Sequence, residues 1–311
     1  MRTFFILCIG LTLVLWTKVS SACEFCTIAY LGKRDSRPKD QKHTWTAKVL
    51  YEDQDWKEIS AAQAHTLHHQ GHHTHDKQDE QIIHTMLSVK PMERMSFDID
   101  IPYVTRHYIE IDSHAQLGRN ETSQGLGDIT LTGNYQLIEN EKKSFGLIAG
   151  VKLPSGETKE LDSGGGRMEP ELQPGTGSID YIAGLTGSFY PNDWDFSTNA
   201  IYIYKTEGAQ DFRHGDVLSI SLFAGKQFEL NKKSYLTPGV MINNQLEKKQ
   251  NNNDGSVKDS GGYTMFIGPQ VKLDYQSVSV DFSYLSPAVQ ELGGMHQKLN
   301  GIWTSSLNVR F

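Results

Sequence analysis

Apolar side chains recur at every second position along most of this chain, and that spacing constrains its fold more than any other feature. In one segment Phe97, Ile99 and Ile101 share a face. Asp98 and Asp100 share the opposite face of the same segment. Alternation of this kind is typical of β-strands whose two faces meet different surroundings. The pattern therefore predicts an all-β chain.

Between residues 44 and 311 the alternation defines about twelve strands, an even number such as bacterial outer-membrane barrels require. They lie near residues 45–51, 83–89, 96–103, 129–137, 145–153, 179–189, 194–204, 218–228, 236–242, 265–273, 278–284 and 303–311. Hydrophobic residues make up only 38% of the chain, and the mean hydropathy is −0.46. Membrane helices each need about 20 consecutive apolar residues, so a helical membrane protein is excluded. The prediction is a transmembrane antiparallel up-and-down β-barrel.

The connections between these strands alternate between short and long. Short turns are predicted at residues 90–94, 138–143, 191–193, 229–233 and 274–276. Long loops are predicted at residues 57–80, 106–127, 154–177, 206–215, 247–262 and 287–299. Outer-membrane barrels have short periplasmic turns and long extracellular loops, whereas a soluble β-sandwich has no reason to alternate so strictly.

Residues 1–22 have the features of a secretory signal, with Arg2, an apolar run from Phe4 to Trp16 and small residues before position 23. We therefore expect three parts: a signal at 1–22, a short cysteine-containing segment at 23–43 and the barrel at 44–311. Removal of the signal takes away Arg2 and Lys18 and lowers the formal charge from −7 to −9. Such net acidity argues against nucleic acid as a partner.

Only Cys23 and Cys26 remain after the predicted cleavage, and three interpretations stay open for them. Residues 20–23 loosely resemble a lipobox, with Cys23 as the acylated residue. The pair could instead form a disulfide or a thiolate clip for a metal. The third interpretation is a short disordered tail whose thiols contribute little.

Three prolines and one lysine fit the strand pattern less well. Pro102, Pro238 and Pro269 fall inside predicted strands, where each removes a donor from the ladder. We expect local bulges there. Lys226 falls on the lipid-facing side of its strand, close enough to the end to extend towards the membrane interface.

Three glycine- and proline-containing motifs occur in order in the middle of the chain. They are Gly-Leu-Gly-Asp at 125–128, Lys-Leu-Pro-Ser-Gly at 152–156 and Leu-Gln-Pro-Gly-Thr-Gly-Ser at 172–178, each between a strand and a long loop. With these motifs the chain resembles the family of outer-membrane transporters named for the meta pathway of phenol degradation. The resemblance spans roughly Trp45 to Phe311 and implies a barrel with a transport role. From the residues themselves, we interpret the glycines and prolines as shaping the barrel rim, not as binding phosphate.

Strand alternation also assigns charged residues to the inner face of the barrel. These candidate lumen-lining residues are Asp98, Asp100, Lys152, Asp180, Lys205, Lys272, Asp281 and Arg310. Mixed charges suit a water-filled lumen through which a small solute passes. They equally suit a closed interior held by ion pairs, so the sequence leaves the state of the lumen open.

The first long loop contains six clustered histidines, His65, His68, His69, His72, His73 and His75. Neutral imidazoles bind copper, nickel and zinc well, and a flexible loop can gather several of them around one ion. The alternative hypothesis to transport is therefore a metal-binding surface protein without a pore. A solvated loop that binds no metal in the cell is the other interpretation.

The C-terminal strand ends in Leu307, Val309 and Phe311, an alternation closed by an aromatic residue. This resembles the signal that the barrel-assembly machinery recognises, so that machinery is an expected partner, along with outer-membrane lipid. Enzymatic activity is not expected. The chain has no His-x-Ser pattern of a barrel phospholipase, and Asp112, Ser113 and His114 are adjacent, so in a strand they would point to different faces.

Overall fold

The computed structural model describes residues 45–57, 75–110, 119–257, 260–293 and 298–311. These residues form antiparallel strands joined by turns and loops. The strands are β1 (Trp45–Trp56), β2 (His75–Met92), β3 (Met95–Glu110), β4 (Arg119–Leu126), β5 (Thr130–Glu139), β6 (Lys143–Lys152), β7 (Asp180–Phe189), β8 (Trp194–Tyr204), β9 (Val217–Lys226), β10 (Phe228–Asn231), β11 (Ser234–Glu247), β12 (Asn251–Asn252), β13 (Gly255–Ser256), β14 (Gly262–Tyr275), β15 (Val278–Leu292) and β16 (Leu299–Arg310). Within these ranges no helix is long and apolar enough to cross a membrane.

The sheet closes on itself because the last strand pairs with the first, placing Val49 opposite Leu307. Each other barrel strand pairs with its neighbours in sequence. β4 and β5 both pair with β3, and β9 and β10 both pair with β11, so each of these couples forms one interrupted barrel strand. The remaining short pair, β12 and β13, forms a separate hairpin. Twelve strands therefore make the barrel, which confirms the predicted fold and strand number.

The two ends of the barrel differ in the length of their connections, as predicted. Short turns join β2 to β3, β5 to β6, β7 to β8, β10 to β11 and β14 to β15. At the other end β6 and β7 are separated by residues 153–179 and β8 and β9 by residues 205–216, each with one short 3₁₀ turn, at Pro170–Leu172 and Ala209–Asp211. The end with the long connections is the extracellular one in barrels of this kind.

The two faces of the wall differ in the way the alternation requires. The outward face carries exposed apolar residues such as Val49, Leu147, Leu222 and Phe282. Exposed apolar surface on this scale is favourable only against lipid. The inward residues between them are buried and mostly polar.

The prolines produce fewer bulges than expected. Pro102 lies where β3 changes its partner from β5 to β4, and Pro238 where β11 changes from β10 to β9. At those junctions a missing N–H interrupts pairing that is already ending. At Pro269 the pairing with β15 omits Gly268 and Pro269 but keeps the same register on both sides, so no bulge forms there; the register shift of this strand pair lies between Met265 and Phe266.

Candidate functional site

The charged residues assigned to the inner face fall into several separate groups on the barrel wall. Six of the eight have buried side chains, and Asp98 and Lys272 are half-buried. One group lies at the extracellular mouth, two lie along the wall near β2, β3 and β15, and one lies near the periplasmic end. The structure therefore distributes these residues over the interior and does not gather them into one site.

At the extracellular mouth Lys152 and Asp180 meet on neighbouring strands. The Lys152 Nζ atom lies 2.8 Å from the Asp180 carboxylate and 3.3 Å from the Asp128 carboxylate. Lys205 Nζ lies 3.9 Å from the same carboxylate oxygen of Asp180 that Lys152 contacts. We call Asp128, Lys152, Thr176, Asp180 and Lys205 the mouth network. Its charges alternate, so each buried ion has an opposite charge beside it.

Asp128 is the residue at which the three glycine-containing motifs meet. Its carboxylate accepts hydrogen bonds from the Gly156 N–H at 2.9 Å, and from the Thr176 N–H and hydroxyl at 2.8 and 2.6 Å. The two feet of the loop touch here, since a Cβ added to Gly156 would lie 2.7 Å from the Gly175 Cα atom. These contacts explain why both positions are glycine. Sequence reasoning did not select Asp128, although it ends the first motif.

The loop at residues 153–179 packs against inner-face residues of β3 and β4. Met168 and Leu172 form a buried cluster with Tyr108. Two hydrogen bonds add to this contact. Arg106 of the wall donates to the Gln173 carbonyl of the loop, and the Ser163 N–H of the loop donates to the Glu121 carboxylate of the wall at 2.9 Å. The loop therefore lies against the interior wall at the extracellular end.

Two further charged groups lie along the wall. Asp100 contacts the Nδ1 atom of His84 at 2.9 Å, and Asp98 accepts a hydrogen bond of 2.6 Å from the Asn134 amide. On β15 Asp281 accepts a hydrogen bond from Gln270 of β14 at 3.3 Å. These carboxylates are held by hydrogen bonds from neighbouring strands.

Near the periplasmic end Lys272 and Arg310 share one carboxylate. Their side-chain nitrogens lie 3.4 and 3.6 Å from Asp274. The Arg310 guanidinium also donates to the Gln276 carbonyl at 3.0 Å. This group ties the last strand to the turn between β14 and β15.

The interior also contains an apolar cluster that sequence reasoning missed. Its members lie on β1, β9, β11, β14, β15 and β16, at inward positions or, for Leu299, at the first residue of β16. They are Leu50, Phe223, Met241, Phe266, Leu285, Leu299 and Ile302. Phe266, Leu285 and Ile302 are completely buried. The signal was present, because these residues are large and apolar on the face that alternation assigns to the inside. The sequence prediction considered only the charged residues of the inner face and therefore did not name this cluster.

Several predicted site residues lie outside the described part of the chain. Cys23, Cys26 and the histidines at 65–73 belong to this set, as do residues 112–114. His75 is the first residue of β2. Among the residues that the structure describes, no group of three or more His, Cys, Asp or Glu could hold a metal ion. Copper, zinc or nickel binding by the histidine loop stays a prediction.

Phe311 continues the pairing of the last strand with the first. Its N–H donates to the Trp45 carbonyl at 3.0 Å, and Trp45 returns a bond of 3.1 Å to the Phe311 carbonyl. The Phe311 side chain is 59% exposed. Its recognition by the barrel-assembly machinery stays a prediction.

Comparison with solved structures supports the fold. An outer membrane channel from Pseudomonas putida F1 is similar over 86% of this chain and 96% of its own, with a TM-score of 0.57 and 14% identity. The beta domain of the Bordetella autotransporter BrkA is similar over 86% of this chain and 99% of its own, with a TM-score of 0.48 and 10% identity. At such identities the first likeness shows the fold alone. No curated protein matches the sequence.

The matching family model covers residues 83–287, which is more than half of the chain and includes all three glycine-containing motifs. These residues hold the mouth network and the loop that Asp128 anchors. The chain is thus an outer-membrane β-barrel, and it belongs to the family described as "Putative MetA-pathway of phenol degradation".

Proposed function

We propose that this barrel is an outer-membrane channel that conducts a small solute, and that the loop at 153–179 narrows its extracellular mouth. The observation that carries the proposal is the polar inner face of a closed barrel whose outer face is apolar. Buried charges and amides are costly away from water, and a hydrated interior removes much of that cost. Transport, not catalysis, is the activity that such an interior supports.

The anchoring of the loop favours a permanent constriction over a freely moving lid. Asp128 holds both feet of the loop, through Gly156 and Thr176. Opening the mouth by moving the feet would break these hydrogen bonds and leave a buried carboxylate with fewer donors, which is costly. We therefore infer a passive channel whose width the loop limits.

Conductance in planar bilayers tests this proposal. The purified, folded protein should produce discrete current steps in potassium chloride, and liposomes that contain it should swell in small sugars or amino acids. A folded barrel that stays electrically silent and leaves liposomes unchanged would contradict transport.

A charge variant shows whether the current passes through the interior. Lys152→Met removes an inner charge at the mouth, so it should change the single-channel conductance. Lys143→Met is the matched control, because Lys143 is exposed at the opposite end of the same strand, β6. If both variants change the current equally, the inner wall does not line the conducting path.

A further inference from the structure

The outer surface of the barrel carries a second charged site, separate from the interior. At the extracellular ends of β8, β9 and β11, Arg213 and Lys248 converge on Asp216. The Arg213 Nη2 and Lys248 Nζ atoms lie 2.8 and 2.9 Å from the two oxygens of the Asp216 carboxylate. The Tyr202 hydroxyl donates to the same carboxylate at 2.8 Å.

This site faces away from the lumen. In β8 the buried inward residues Ile201 and Ile203 alternate with Tyr202 and Tyr204, whose rings therefore lie on the outer face. The Arg213 guanidinium lies 5.1 Å from the Tyr204 ring centre, and the Lys248 ammonium lies 5.7 Å from the Tyr202 ring centre. Both cations are thus stacked on outward aromatic rings.

The strand ends next to the site show where it lies relative to the membrane. Val217 begins β9 directly after Asp216, and Glu247 ends β11 directly before Lys248. The next outward residues, Leu218 and Leu246, are exposed and apolar, as a lipid-facing surface requires. Tyrosines at the end of such a surface mark the level where hydrocarbon meets headgroups.

The carboxylate positions the two cations and remains charged. Burial alone would raise the pKa of Asp216, but hydrogen bonds from Lys248, Tyr202 and the Lys205 backbone lower it to about 2. The hydrogen bonds that Lys248 itself donates to Asp216 and Tyr202 raise the pKa of Lys248. Two positive charges face one negative charge, so the site has one positive charge in excess.

Hydrogen-bond donors remain at this site after the internal contacts are made. Arg213 uses its Nε atom for the Lys205 carbonyl and Nη2 for Asp216, which engages two of the five N–H groups of a guanidinium. Lys248 donates to Asp216 and to the Tyr202 hydroxyl, which are two of its three N–H groups. The Lys248 side chain is 65% exposed. The remaining donors are available to an anion from outside.

We propose that Arg213 and Lys248 bind a phosphate of the phosphorylated glycolipid that forms the outer leaflet of the outer membrane. An excess positive charge at headgroup level, with donors fixed by a buried carboxylate, suits a lipid phosphate. The site would hold one lipid beside the wall between β8 and β11. It requires no conduction through the lumen.

Binding of lipid A to the folded protein in detergent tests the proposal. The titration compares bisphosphorylated lipid A with the same lipid after removal of its phosphates, by native mass spectrometry or by the shift in unfolding temperature. The wild type should bind the phosphorylated form more tightly. The double variant Arg213→Gln/Lys248→Gln should bind it about twenty-five-fold more weakly, at about fivefold for each cation near a membrane surface.

The control is Lys226→Gln at the opposite membrane edge, where Lys226 lies 5.6 Å from the Phe228 ring centre. The Lys226→Gln variant should bind lipid A as the wild type does. The double variant Arg213→Lys/Lys248→Arg preserves both charges and should retain most of the wild-type binding. Removal of both cations leaves Asp216 unpaired, so a third variant adds Asp216→Asn and should fold normally while still binding weakly. Equal binding of both lipids, or an equal loss in the Lys226 variant, would overturn the proposal.

Discussion

The mouth network and the apolar cluster occupy the same inner wall, yet different interactions hold them. In the mouth network Asp128, Lys152 and Asp180 are stabilised by partners of opposite charge and by hydrogen bonds from the loop. In the apolar cluster Phe266 and Ile302 are completely buried against other hydrocarbon. The comparison teaches that alternation determines whether a side chain points inward or outward. The residues that surround it inside the barrel determine whether ion pairs or apolar packing stabilise it.

The largest effect is expected in the apolar cluster. Phe266→Ala should lower the free energy of unfolding by about 3–5 kcal/mol, because truncation of a fully buried aromatic leaves a cavity. Denaturant unfolding of the folded barrel in detergent measures this. Phe282→Ala is the matched control on the neighbouring strand, since Phe282 is outward and 53% exposed. Equal losses would mean that the inner cluster packs no better than the lipid-facing surface.

The second largest loss of stability is expected when Asp128 of the mouth network is replaced. Asp128→Ala removes the acceptor for Gly156 and Thr176 and should cost about 2–4 kcal/mol, because buried donors are left without partners. It should also expose the loop at 153–179 to proteases. Thr176→Val, which removes only the hydroxyl, should have a smaller effect. A loop equally protected in all three proteins would show that Asp128 does not anchor it.

A smaller change is expected when one ion of the mouth network is made neutral. Lys152→Met keeps the length of the side chain but removes the charge between Asp128 and Asp180, and it should cost about 2 kcal/mol, as for a hydrogen bond to a charged group. Lys152→Met/Asp180→Asn should recover part of that loss. A double-mutant cycle with no coupling energy would show that the two residues act independently.

The smallest effect is expected at Asp216, where the charged partners are partly exposed to solvent. Its folded-state pKa is lowered to about 2, so ionisation of Asp216 stabilises the fold at neutral pH. That stabilisation, about 1 kcal/mol after screening, should be full above about pH 5 and be lost as pH falls towards 2. Thermal unfolding of the wild type and Asp216→Asn across this range measures it. A stability difference that stays constant down to pH of about 2 would contradict the assignment.

Much of the fold could be predicted because alternation is a local property. Twelve strands and the two kinds of connection follow from it, and so does the direction of Lys152 and Asp180. The role of Asp128 could not be predicted, since its partners Gly156 and Thr176 lie 28 and 48 residues away and meet it only when the loop folds inward. The inward direction of the apolar cluster does follow from alternation, but its extent does not, because Leu50 joins Phe266 and Ile302 only when β1 pairs with β16.

The central claim is that the anchored loop narrows a conducting interior, and a shortened loop tests it most directly. The feet at Gly156 and Gly175 already touch, so residues 158–173 can be replaced by two glycines with little strain on β6 or β7. The measurement is the single-channel conductance of this variant beside the wild type. Our account predicts a larger conductance in the variant with the barrel still folded. An unchanged conductance would contradict it.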